Sequence, residues 1–316
     1  MRNIWQTLQR PIFILAPMED VTDTVFRQIV MQCGRPDIFF TEFTSVDGMF
    51  SKGDVYVSQR LQFTQKEKPI IAQIWGMKPE NYFKAAQRLV TMGFDGIDIN
   101  MGCPERSVVG KGACSGLINN RNLAKEIIQA TQEGSAKQIP VSVKTRLGFG
   151  EIQFDWIEFL LQQKLDALTI HGRTVAELSK VPAHWDAIGE VVAMRNKIDK
   201  QTLIFGNGDI KSLAEAKEKV AQYTVDGVMI GRGIFDTVWL FNETVNPETI
   251  TVERKLQILL DHVRLYEKTW ENKKNFQVLK KYFKIYVSGF ENAQQLRMKL
   301  MEANNREDVK KIIGEA

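Results

Sequence analysis

Little in this sequence could bind a metal or cross a membrane. Only three of its 316 residues are histidine (His171, His184, His262) and three are cysteine (Cys33, Cys103, Cys114). Neither set has paired ligand spacing, so no metal site is expected. An odd cysteine count argues against a disulfide scaffold and for a reducing, cytoplasmic compartment. No apolar run approaches the roughly 20 residues needed to span a bilayer, so no membrane association is expected. Arg2 and Arg10 flank only a short apolar patch, which is not expected to act as a secretory signal. No Gly-x-Gly-x-x-Gly follows the first strand-like run, which argues against an open dinucleotide-binding sheet.

What is present is a repeated alternation. Eight short apolar runs appear in order: Ile12–Ala16, Ile38–Glu42, Ile70–Ile74, Gly96–Asn100, Val141–Lys144, Ala167–Ile170, Leu203–Phe205 and Gly227–Ile230. Near-continuous apolar runs suit parallel strands covered on both faces. Helical stretches separate them, among them Pro79–Met92, Asn122–Gln132, Asp155–Gln163 and Ser212–Val220. Pro79 suits a first helical turn and Gly93 a stop. The alternation predicts an α/β fold, a (β/α)8 barrel over residues 1–242, followed by a linker at 243–250. Residues 251–316 carry no strand pattern and predict an all-helical C-terminal domain.

Charge divides the chain at the same place. Residues 251–316 hold 14 Lys+Arg against 9 Asp+Glu, whereas the other 250 residues hold 28 against 29. The whole excess of positive charge therefore lies in the tail, which points to a polyanionic partner. On a helical wheel Lys273, Lys274, Lys280, Lys281 and Lys284 share one arc, with Phe276, Leu279, Phe283, Tyr286 and Phe290 opposite. That pattern predicts a helix with a buried aromatic stripe and a lysine ridge facing phosphates.

In such a barrel chemistry collects where strands exit. The first exit gives Ala16-Pro17-Met18, small and rigid, and the third gives Gln73. The fourth gives Asn100-Met101-Gly102-Cys103-Pro104, a thiol held between a glycine and a proline. The fifth gives Lys144 and Arg146, the sixth His171-Gly172-Arg173. Gly206-Asn207-Gly208-Asp209 and Gly231-Arg232-Gly233 follow the seventh and eighth, where barrels commonly bind phosphate. Lys144 could serve as a Schiff-base nucleophile, as in an aldolase, or as a cation beside an electron-rich cofactor. Cys33 reads as packing. A redox pair between Cys103 and Cys114 is disfavoured by a reducing compartment.

These motifs resemble those of the FMN-dependent tRNA-dihydrouridine synthases over nearly the full chain. The resemblance rests on Ala16-Pro17-Met18 with Val21-Thr22-Asp23 and Phe26-Arg27, on Ala72-Gln73, and on Asp98 through Pro104. It continues through Val143–Gly148, His171–Thr174, Gly206–Ile210, Ile230–Gly233 and the tail from Leu279 to Gly289-Phe290. Asp20 stands where the family usually has glycine. The resemblance implies bound FMN, NADPH as reductant, tRNA as partner and reduction of the C5–C6 bond of a uridine. It puts cofactor contacts on Pro17, Met18, Glu19, Gln73, Lys144 and His171, and further ones on Asn207, Gly208, Asp209, Gly231 and Arg232. Substrate contacts fall on Asn100, Arg146 and Arg173, with Lys280, Lys281 and Lys284 in the tail. Cys103 becomes the proton donor; a thiol near its ordinary value of about 8.5 is mostly protonated at neutral pH. A monomer is expected. The alternatives are a dihydroorotate dehydrogenase-like FMN barrel acting on a free pyrimidine and a non-catalytic RNA-binding barrel.

Overall fold

The computed structural model describes residues 3–271 and 273–315, so Arg2 lies outside the described residues. All eight strand expectations hold: β1 (Ile12–Leu15), β2 (Ile38–Phe40), β3 (Ile70–Trp75), β4 (Gly96–Met101), β5 (Val141–Arg146), β6 (Ala167–His171), β7 (Leu203–Asn207) and β8 (Gly227–Ile230). Each pairs with its neighbour in parallel, and β8 closes the ring on β1 with Ile12 opposite Gly227 and Leu15 opposite Ile230. Thr44–Ser45 adds a two-residue strand along the end of β3. Several strands outrun their apolar cores: β5 continues through Thr145 to Arg146, and β3 to Trp75. Ladder pairing persists at the mouth after the side chains turn polar, which hydrophobic patterning does not register.

Helices α1 (Thr24–Cys33), α2 (Pro79–Met92), α3 (Arg121–Ser135), α4 (Phe154–Leu161), α5 (Trp185–Ile198) and α6 (Leu213–Tyr223) surround the ring. Pro79 opens α2, and Gly93 closes it at φ +82°, a left-handed turn that favours glycine. Ser212 caps α6 by accepting from the Glu215 N–H at 3.1 Å. Inside the ring, Ile12, Ile14, Ile38, Phe40, Ile71 and Phe205 form a dry core. Trp5 plugs its N-terminal end, ring centroid 5.1 Å from that of Phe205. No helix of the described residues is long and apolar enough to cross a membrane.

After a 3-10 turn at Pro247–Thr249 the described elements are helical, with α7 (Val252–Trp270), α8 (Ala293–Leu300) and α9 (Arg306–Gly314). This segment shares one continuous apolar core with the outer layer of the barrel. The joint is aromatic. Tyr282 stacks on Phe26 of α1 at 4.8 Å, and buried His262 of α7 meets the Tyr286 hydroxyl at 2.8 Å. Burial pushes the His262 imidazole down to about 4, so it stays neutral there.

The tail departs from the single helix expected. Phe276–Tyr282 is a 3-10 helix that runs into one α-turn at Phe283–Tyr286. The apolar half of the pattern survives, because Leu279, Phe283 and Tyr286 are buried. The ridge does not survive whole. Lys274 turns inward to Asp23 at 3.2 Å, over the Trp270 ring. Lys280 and Lys281 donate to the carbonyls of Met301 and Asp20, while Lys284 is exposed. The tighter turn changes the angular spacing on which the wheel relied.

Candidate active site

Four side chains at the barrel mouth fix the Cys103 loop. The buried Asn100 carboxamide oxygen accepts from the N–H groups of Gly102 and Cys103, both at 3.0 Å. Its amide donates to Gln73 Oε1 at 3.1 Å, and Gln73 Nε2 donates to Asp98 Oδ2 at 2.7 Å. Ser142 Oγ completes the chain at 2.6 Å from Asp98 Oδ1. Burial pushes the Asp98 carboxyl up to about 6 against the pull of these donors. Gln73 and Asn100 thus have much of their hydrogen-bonding capacity engaged within the protein. The structure gives both a positioning role that the exit inventory missed.

Cys103 opens onto a pocket of about 410 Å³ lined by Glu19, Phe43, Arg60 and Trp75 among others. The expectation of an ordinary thiol fails. The neighbouring buried Cys114 thiol holds Cys103 down at about 7 despite burial, and Cys103 in turn pushes Cys114 up. Arg146 supports the same loop, donating from Nε to the Gly102 carbonyl at 2.9 Å and from Nη1 to that of Thr174 at 2.9 Å. The ammonium of Lys144, whose backbone lies opposite Asn100 in the ladder, makes no hydrogen bond to the described residues. Burial, then Arg146, lowers its ammonium to about 8, against Asp98 and Cys103.

Lys144 points to a second, larger cleft of about 840 Å³, with Pro17, Met18 and His171 on one side and the Gly208 and Gly231 loops on the other. Two glycines here have different reasons. At Gly206 a Cβ would fall 2.3 Å from the Trp185 ring, so this glycine serves packing of α5. Gly208 sits at φ +137°, a conformation closed to other residues. Arg173, expected at the substrate, is buried: it donates to the Val181 carbonyl at 2.6 Å, to His171 Nε2 at 3.2 Å and to Asp209. Asp209 also pairs with Arg232 at 3.2 Å and so braces both cations. Burial, then Lys144 and the nearby arginines, holds His171 far below the ordinary imidazole value. It is neutral, with Nε2 the acceptor toward Arg173. The Asn207 amide donates to the Met229 carbonyl at 2.8 Å, tying β7 to β8. Glu19, expected at the cofactor, instead pairs with Arg60 at 2.5 Å on the Cys103 side.

The loop 18–23 has supports that carried no sequence signal. Asp20 keeps the left-handed φ of +56° expected of a glycine. Its N–H donates to Glu42 Oε1 at 2.7 Å, and its carbonyl accepts from Lys281 and the Tyr282 hydroxyl. Asp23 caps α1 through the Phe26 N–H and takes the Trp270 indole N–H at 3.0 Å. Burial pushes the Glu42 carboxyl up to about 7, with Lys274 pulling the other way. The tail thereby clamps the first loop of the barrel. Another cleft, of about 660 Å³, lies at the opposite end around Asn3, Lys164 and Asp166, away from every strand exit.

The donor set of the larger cleft fits a phosphate-bearing flavin. Its volume lies in the usual cofactor range, three cations (Lys144, Lys211, Arg232) line it, and the glycine loops admit close backbone approach. A closed parallel barrel with such a cleft beside a held thiol defines a (β/α)8 enzyme whose chemistry sits at the C-terminal mouth.

A family model described as Dihydrouridine synthase (Dus) matches residues 14–315. The chain is 43% identical to "Probable tRNA-dihydrouridine synthase 2" of Bacillus subtilis (strain 168), over 99% of this chain and 96% of that one. It therefore belongs to the dihydrouridine synthase family. Two solved structures share the fold at low identity. Histamine dehydrogenase from Rhizobium sp. 4-9 superposes with TM-score 0.54 at 13% identity, covering 83% of this chain and 51% of that one. A 2-naphthoyl-CoA reductase superposes with TM-score 0.58 at 10% identity, covering 79% and 52%. This chain spans about half the length of each.

Proposed function

We propose that the protein is an FMN-dependent tRNA-dihydrouridine synthase, with NADPH as reductant and residues 251–316 as the tRNA-binding part beyond the 243–250 linker. The observation that carries this reading is a thiol on the lip of a small pocket, its loop backbone held by Asn100, next to a cation-lined cleft. Pro17, Met18, His171, Gly208, Gly231 and Arg232 would hold the cofactor, with Lys144 lining the same cleft. Bound and reduced, FMN supplies hydride to C6 of the uracil. Cys103 then gives its proton to C5, and an acid with a value near ambient pH suits that task. Asn100 and Arg146 keep the loop in place during the transfer. Lys144 offsets negative charge at the cleft. The uridine must leave its stack to reach this mouth.

Flavin-loaded protein with NADPH should convert uridine in unmodified tRNA and leave free uracil and orotate unchanged. Turnover of the free bases would favour the dihydroorotate dehydrogenase-like reading. Tight tRNA binding without any flavin would favour the idle RNA-binding barrel.

The acid role sets the direction of the pH profile. kcat/KM for tRNA should fall as pH rises through about 7, where Cys103 loses its proton. It should fall further above about 8 as Lys144 loses its charge. A rate that climbs through pH 7 would instead make Cys103 an attacking thiolate.

Charge in the tail is the handle for RNA. Lys284 is exposed and free of hydrogen bonds to the described residues, while Lys280 and Lys281 retain further N–H donors. Lys284→Ala should weaken tRNA binding and flatten the slope of log affinity against log salt by about 0.7 to 0.9. An unchanged slope would remove Lys284 from the interface.

A further inference from the structure

The mechanism uses Cys103 and leaves Cys114 without a role. Cys114 is wholly buried and opens the 3-10 helix Cys114–Asn119, which follows the one-turn helix Arg106–Val109. It holds φ +50°, a left-handed conformation that favours glycine. The Ser115 N–H donates to the Cys103 carbonyl at 3.4 Å, which lays the two backbones side by side. Across that contact each thiol shifts the other, Cys114 lowering Cys103 and Cys103 raising Cys114, as two neighbouring sulfurs do. Cys103 meets the pocket of about 410 Å³, whereas Cys114 does not line it. Cys33 is buried elsewhere, at the end of α1 beside Asn242. One sulfur is thus open to a small reagent and a second waits directly behind it.

We propose that Cys103 and Cys114 are a modification site, closing to a reversible disulfide when a hydroperoxide enters the Cys103 pocket. The Cys103 thiolate attacks the peroxide: an S–O bond forms, the O–O bond breaks, and the departing oxygen leaves as water or an alcohol. Sulfur is oxidised by two electrons and the peroxide reduced by two. Cys114 then attacks the sulfenic sulfur; the S–S bond forms, the S–O bond breaks, and the Cys114 proton leaves with the hydroxide as water. The disulfide removes the proton on which C5 protonation depends, so its effect on activity rests on the function proposed above. Reduction by a thiol restores both groups. A resolving partner of this kind also keeps Cys103 from the irreversible sulfinic state.

The test is a titration of the flavin-bearing protein with hydrogen peroxide, followed by alkylation and peptide mapping without reductant. Expected is a single cross-linked pair joining the Cys103 and Cys114 peptides, with Cys33 still alkylated and the link lost in dithiothreitol. In Cys114→Gly, whose new residue suits φ +50°, Cys103 should pass to sulfinic acid that dithiothreitol does not recover. Cys103 sulfinic acid in the wild type with no link to Cys114 would overturn the proposal, even if the variant fails to fold. Activity should fall on the order of 100-fold as the link forms and return with the thiol. Full cross-linking with activity intact would leave the disulfide standing and overturn the acid role.

Discussion

Cys103→Ala is expected to lower dihydrouridine formation by roughly 10²- to 10⁴-fold, the usual contribution of a positioned acid, while the protein stays folded and yellow. The separation follows from how the loop is built. Asn100 grips it through the backbone N–H groups of Gly102 and Cys103, and Arg146 through the Gly102 carbonyl. None of these bonds involves the sulfur. The thiol's neighbour is Cys114, and one S–H group is a weak hydrogen-bonding partner for another, so losing the Cys103 sulfur costs little there. The larger cleft, with Lys144, His171 and Arg232, has no part of Cys103 in its wall. Flavin content by absorbance and dihydrouridine by mass spectrometry, on the same preparation, separate the two effects. Wild-type turnover in the variant would remove Cys103 as proton donor.

The second large effect is on stability. Arg27 and Glu67 form an ion pair with both side chains at 0% exposure, Nε to Oε2 at 2.7 Å. Glu67 Oε1 also accepts from the Thr24 hydroxyl and the Thr64 N–H, both at 2.7 Å. The guanidinium donates to the carbonyls of Thr22 at 2.6 Å and Gln62 at 2.7 Å. Glu67→Ala would strand a buried cation and two donors, at a cost of about 3–5 kcal/mol. That is a large share of the roughly 5–15 kcal/mol that holds a typical protein folded. Because Thr22 lies in the loop 18–23, flavin affinity should fall with it. Replacing both residues with apolar ones of similar volume should be far milder, since no charge is then left alone. Urea midpoints at a fixed cofactor concentration check this, ligand being itself a stabiliser. A single-variant loss below about 0.5 kcal/mol would place it among ordinary surface substitutions and contradict the stranded charge.

Much of the barrel was legible because its strands are short apolar runs set between turn residues, and parallel burial on both faces produces that pattern. The end of α2 at Gly93 was legible for a similar reason, a residue type tied to a backbone angle. Supports at the mouth were not, since Asp98, Gln73 and Asn100 come from two strands and meet only when those strands pair in register. Arg27 lay within a quoted motif, yet its partner is 40 positions away. Arg173 shows the opposite error: an arginine at a strand exit looked available, but folding turns every part of its guanidinium toward protein acceptors. The tail's lysines failed as a ridge because a 3-10 turn replaced the assumed α-helix.

The proposed activity turns on one step, reduction of a tRNA uridine through Cys103. Its most direct test is mass mapping of tRNA from a host stripped of its own dihydrouridine synthases and supplied with this protein. The expected result is dihydrouridine returning to a defined position with the wild type and staying absent with Cys103→Ala. Well-expressed, flavin-bearing wild type that leaves every uridine unreduced would contradict the account.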